Sequence, residues 1–238
     1  MIALVGMGGL ALALQDPVSD PGGAGQLATY VSILVAMALL PFLLTMITSF
    51  AKLVIVGGIV RQALGTQQIP PTSVITGLAL ILTMHIMSPV AVRAWEGFQA
   101  AEGSTPERLL AIEAPITEFL HRHADPENRI LFSSLRQQLN RGEDPFPPST
   151  NDQVRRIVNV LTVDAPAFML TELAEAFQIG FLIFLPFLVL DLVVGNVLLA
   201  MGMHMLSPVV ISLPLKLLLF VLIDGWRLLL SGIVRGYT

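Results

Sequence analysis

The strongest constraint on this chain is that its apolar runs are too long for it to bury alone. Residues 27–60 hold a single charge, Lys52, and residues 166–200 and 206–223 are nearly as apolar. A helix rises 1.5 Å per residue, so about 20 apolar residues cross a bilayer core. The first run is too long for one simple span and contains Pro41, which predicts a helix from about Tyr30 that kinks near Pro41 and continues or re-enters to about Arg61. Composition agrees: 54% of residues are hydrophobic and 13% charged, where soluble domains average about 25% charged. Mean hydropathy is +0.77. An ordinary soluble enzyme and a disordered chain are both excluded.

The charges are segregated, with 19 of the 30 charged residues lying between positions 93 and 164. Four regions follow. Residues 1–26 are an apolar stretch without Lys or Arg, read as a short membrane-associated N-terminus with a cleaved signal peptide as the alternative, then a Pro/Gly linker. Residues 27–92 read as an apolar helical hairpin turning at QALGTQQIPPTS (62–73). Residues 93–165 read as soluble helices: Thr105 before Pro106 and Asp125 before Pro126 have the pattern of helix starts. Gly142 stops one helix, EDPFPPST (143–150) is a loop, and Asn151 or Asp152 caps the next. Residues 166–238 read as a second apolar hairpin whose tip is MGMHM (201–205), followed by a tail. The fold class is therefore all-α. Lys52 and Arg61 flank the first tip, so the positive-inside rule places both tips inside and the polar block outside.

Motifs for nucleotide or hydrolytic chemistry are missing: no Walker A, G-x-G-x-x-G, H-E-x-x-H or G-x-S-x-G occurs. There is no cysteine, and with a net charge of −4 no basic run invites nucleic acid. No cofactor is expected, and the chain does not read as an enzyme. His121 and His123 stand two apart, pointing about 200° away from each other on a helix, which ill suits one metal. His85 and His204 are single histidines in apolar surroundings, read as buried and satisfied, with a pore or packing role as the rival. Six ionisable residues sit in or beside apolar runs: Lys52, Glu172, Glu175, Asp191, Lys216 and Asp224. Each would cost roughly 3 kcal/mol in lipid. They read as pairing between helices or subunits, with ion or proton binding as the rival. Phe177, Phe181, Phe184 and Phe187 follow at helical spacing, a packing stripe unless the protein is a ring. Met201, Met203 and Met205 around Gly202 are poor helix packing; they fill a core or, in several copies, close a pore.

LLPFLLTMITSFAKLVIVGGIVRQALGTQQIPP (39–71), GLALILTMHIMSPV (77–90) and the long block from Pro166 to Trp226 resemble the FliP/SctR family, export-gate proteins of flagellar and virulence-associated type III secretion systems. The resemblance implies a ring of five copies with two other small gate subunits, in contact with the rest of the export apparatus. It implies a helical cone held largely above the membrane plane of the bacterial inner membrane, and unfolded substrates passing through its centre. It maps the family's methionine-rich constriction onto Met201, Met203 and Met205. His204 stands where the family leads one to expect another Met, and because imidazole titrates near neutrality this predicts a gate sensitive to pH. RQALGTQQIPP and GLALILTMHIM resemble the injectisome branch more than the flagellar one. The rival from another class is an ion-coupled small-solute transporter with broken helices, using a buried charge such as Asp191 with Lys52. A scaffold with no pore of its own is a third.

Overall fold

A computed structural model describes residues 24–66, 70–101, 108, 111–141 and 152–237. They are helical, with no strand among them. In order they form α1 (Ala24–Ile47), α2 (Phe50–Ala63), α3 (Thr72–Ala100), α4 (Glu113–His123), α5 (Pro126–Leu139), α6 (Asp152–Asn159), a single π-turn (Val160–Asp164), α7 (Ala165–Ala200), α8 (Pro208–Leu222) and α9 (Gly225–Arg235). The readings of residues 1–23, the Thr105–Pro106 start, Gly142, the 143–150 loop and Asn151 lie outside the described residues.

In the first apolar run the helix continues through Pro41. Pro41 lies inside α1, and the bend, 83°, comes after Ile47. Side-chain competition for the backbone explains the shift. The Thr48 hydroxyl donates to the Leu44 carbonyl and accepts a bond from Phe50 N–H, replacing ladder bonds at Thr48–Ser49. Beyond the bend, Leu53, Val56, Val60 and Ala63 repeat every three or four residues and form one buried stripe.

α2 fits between α3 and α7 because two glycines let it approach. A Cβ on Gly57 would come 2.6 Å from Cγ2 of Ile75, and one on Gly180 of α7 would overlap the Ile59 side chain. The stripe on α2 meets Ala79 and Ile86 of α3, Ala176 and Phe187 of α7, Phe220 of α8, and Leu229 and Ile233 of α9 in one core. A second core joins the polar block to the rest: Phe119 and Leu120 of α4 pack with Val90, Val160 and Phe168.

Continuous helix crosses two of the boundaries drawn from composition. α3 runs through Pro89 to Ala100, past residue 92, and helix is unbroken from Arg155 to Ala200, past residue 165. The π-turn within that rod presents the Asp164 carboxylate to His121 Nε2 at 3.0 Å and Arg129 Nε at 3.3 Å. Asp125 caps α5 as its sequence implies, accepting from Glu127 N–H at 2.8 Å with Pro126 next to it. The same turn is tied to α7, because Asp125 N–H and the Asn128 amide both donate to Thr171 Oγ1 at 2.9 Å. The polar block is thus fastened to the second apolar run.

Candidate functional site

Two constellations stand out: a buried charge cluster where α2, α7 and the tail meet, and an exposed sulfur-rich tip between α7 and α8. In the first, the bend after Ile47 turns Lys52 toward α7. Its Nζ lies 2.9 Å from Glu172 Oε1 and 2.6 Å from Glu175 Oε2. Lys52 is 4% exposed and Glu172 1%, so neither can use water. Tyr237, near the end of the tail, completes the shell. Its hydroxyl donates to Glu172 Oε2, and its ring centroid lies 4.4 Å from Lys52 Nζ. Both Glu172 oxygens are therefore satisfied, as an ion this deep requires. Burial, then the adjacent Glu172 carboxylate, pushes the Tyr237 phenol far above its ordinary pKa, so it remains a donor. The Tyr237 ring also packs beside Phe119 and His123 and reaches both hydrophobic cores.

The second pair is less enclosed. Lys216 on α8, one turn from the buried Ser212 and Phe220, reaches Asp191 Oδ2 on α7 at 2.6 Å. A Cβ on Gly65 would lie 3.9 Å from this ammonium, which places the cation beside the C-terminal turn of α2, the negative end of that helix. Asp191 Oδ1 has no hydrogen-bond partner among the described residues. The partners of Lys52 and Lys216 are thus on other helices of the same chain. Asp224 departs from the expectation of burial: its side chain is 68% exposed, 3.7 Å from Arg227 at the α8–α9 corner. The apolar residues flanking it in sequence do not cover it, because the chain turns there in a left-handed conformation (φ 51°).

The tip is built by local backbone bonding. Gly202 has φ +76°, its N–H bonds the Leu199 carbonyl at 3.0 Å, and Met203 N–H bonds the Leu198 carbonyl at 2.9 Å. That is a Schellman cap, and its left-handed position favours glycine. Leu206 N–H then returns to the Met203 carbonyl, closing a second turn before Pro208 starts α8. Met201, Met203, His204 and Met205 are all exposed, Met205 completely. His204 and His85 were expected to be buried; both are exposed.

The phenylalanine stripe divides. Phe177, Phe181 and Phe184 are exposed, whereas Phe187 is 2% exposed with its ring 6.3 Å from that of Phe220. Steps of four, three and three residues at about 100° each carry Phe187 about 80° round the helix from Phe177, which turns it into the core. Tyr237 is the site residue that sequence reasoning missed; an aromatic beside Gly236 in the tail was its one signal. Among the described residues no group of His, Asp or Glu is disposed to hold a metal ion.

The comparisons with known proteins bear on what such an arrangement serves. The FliP family profile matches residues 33–233. The hypersensitivity response secretion protein HrcR of Ralstonia nicotianae is 40% identical over 220 residues, 89% of this chain and 98% of that protein. The Yop proteins translocation protein R of Yersinia pestis is 42% identical over 212 residues, 86% of this chain and 94% of that protein. The flagellar biosynthetic protein FliP of Bacillus subtilis is 39% identical over 223 residues, 92% of this chain and 96% of that protein.

Proposed function

Because the chain belongs to the FliP family, we propose that it is a pore-forming core subunit of a type III secretion export gate. Its relatives are named for secretion, translocation and flagellar biosynthesis, which supports a role in protein export as a membrane-associated part of that apparatus. In this reading five copies and two other small membrane subunits form a conduit for unfolded protein across the bacterial inner membrane, with the polar helices on the periplasmic side. The 201–205 tips line its narrowest point, and the flexible thioethers close it around the absence of substrate. The chain works by changing shape and by binding, and energy enters from other parts of the machine.

The observation that carries this reading is the uncovered apolar surface of α7 and α8. Phe177, Phe181, Leu182, Leu192, Val210 and Leu218 are all more than half exposed, more apolar area in one place than a monomer in water sustains. Neighbouring subunits and lipid are what cover such a surface. We assign the chain to an injectisome on the RQALGTQQIPP segment; flagellar relatives match to a similar degree, so the assignment needs a strain. Deleting the gene should abolish effector export and leave swimming intact, and lost motility would transfer the chain to the flagellum.

The direct test is native mass spectrometry of the detergent-extracted chain, co-expressed with its neighbouring membrane genes. Five copies together with small hydrophobic partners are expected. A stable monomer or dimer without partners would overturn the gate reading and favour the ion-coupled transporter.

A further inference from the structure

We propose that the turn between α7 and α8 is a binding site for a soft monovalent metal ion, Cu(I) or its chemical analogue Ag(I). The argument starts from ligand chemistry. Thioether sulfur is a soft donor that selects Cu(I), and imidazole also suits copper. Met201, Met203, Met205 and His204 put three thioethers and one imidazole within five consecutive residues.

The backbone folds this segment into two consecutive turns. The Schellman cap at Gly202 reverses the chain, and the bond from Leu206 N–H to the Met203 carbonyl at 3.4 Å closes a turn around His204 and Met205. Four residues in such a turn keep their first and last Cα atoms within about 7 Å. Methionine has three rotatable side-chain bonds, so its sulfur can swing onto an ion that the turn holds nearby. All four side chains are exposed. The donor set is also electrically neutral. Between Asp191 and Asp224 the sequence contains no carboxylate. Hard divalent cations, which need anionic oxygen ligands, find none within this segment.

A second run of the same residue types gives an internal control. Met84, His85 and Met87 occur in TMHIM on α3, with Met84 and His85 exposed. There Met84 and Met87, three positions apart, share a helix face while His85 points about 100° from Met84, so at most the two thioethers meet at one ion.

The test uses the full chain purified in detergent, titrated with silver nitrate by calorimetry, with methionine methyl groups followed by carbon-13 NMR. Saturable Ag(I) binding is expected, with shifts confined to Met201, Met203 and Met205. The triple variant Met201→Leu, Met203→Leu, Met205→Leu should bind at least tenfold more weakly with unchanged helicity, since Leu conserves volume at exposed positions. The pair Met84→Leu, His85→Leu should change affinity less than twofold. No binding by the wild-type chain, a loss under tenfold in the triple variant, or shifts at Met84 and Met87 instead would each overturn the proposal. The NMR readout decides the matter even if a variant fails to fold.

Discussion

The two halves of α7 differ in apolar character, and their burial runs opposite to it. From Ala165 to Gly180, seven residues are buried, including Phe168, Thr171 and Glu172; from Phe181 to Ala200, only Phe187, Val194 and Leu198 are. The first half holds the more polar residues and is the better covered. Burial here follows from what packs alongside: α2, α4, α5 and the tail pack on the first half, while beyond Phe187 the second half is paired with α8. Hydropathy alone would rank the halves the other way. The difference teaches that the first half is held by the chain's own packing, whereas most of the second half is left uncovered by it.

The sharpest way to break that division is at Glu172. Glu172→Ala leaves Lys52 buried with only the half-exposed Glu175 as a partner, and breaking a buried ion pair from one side costs about 3–5 kcal/mol. Thermal unfolding of the detergent-solubilised chain should show the loss. Replacing both partners, Lys52→Met with Glu172→Leu, should recover much of it, because apolar groups of similar volume carry no desolvation penalty. A single variant as stable as the wild type would mean that the first half is not the anchor.

Tyr237→Phe tests the same half from the tail. It keeps the ring over Lys52 and removes only the hydroxyl that satisfies Glu172 Oε2. A hydrogen bond to a buried charge is worth about 1.5–3 kcal/mol, so a smaller fall in unfolding temperature is expected. Removing residues 237–238 should cost more than Tyr237→Phe, since the ring reaches both cores. Equal stabilities would show that the hydroxyl is the tail's whole contribution.

Much of this division was legible in the sequence and some was not, for identifiable reasons. Apolar length and charge segregation determine helices and their pairing, so the two hairpins and the Asp125 cap could be read directly. The bend at Thr48–Ser49 could not, because a hydroxyl competing for backbone bonds is a weaker signal than the nearby Pro41. Lys52, Glu172 and Glu175 were legible as candidates, since charge in an apolar run demands a partner. Which partner depends on residues more than a hundred positions apart coming together. Asp224 misled because sequence neighbours are not spatial neighbours at a corner. Tyr237 was hidden for the opposite reason: a tail residue acquires its role only when the chain folds back. The FliP family resemblance was legible in long blocks such as LLPFLLTMITSFAKL, and the family profile agrees with it.

The interhelical seam gives a prediction of intermediate size. Gly180→Ala places a methyl group into the Ile59 side chain, and overpacking of this kind costs about 1–3 kcal/mol. Ile59→Val removes one methylene from the same contact. The pair of substitutions should therefore be more stable than Gly180→Ala alone, which a double-mutant cycle measures. An additive cycle would mean that α2 and α7 adjust by sliding rather than by local fit.

The smallest effect on stability should come from the second half, and it is the most informative about function. Phe181 is 64% exposed and Phe187 2%, yet both are phenylalanines on one helix, six residues apart. Phe187→Ala empties a core position and should cost about 3–5 kcal/mol. Phe181→Ala should change single-chain stability by no more than about 0.5 kcal/mol, the range of surface substitutions. If the second half is where subunits meet, Phe181→Ala should nonetheless reduce the yield of the five-copy complex in native mass spectra while the monomer stays folded. An unaffected complex would assign Phe181 to lipid and leave the subunit contact to another face of α7 or to α8. A destabilised monomer would erase the distinction between the two halves.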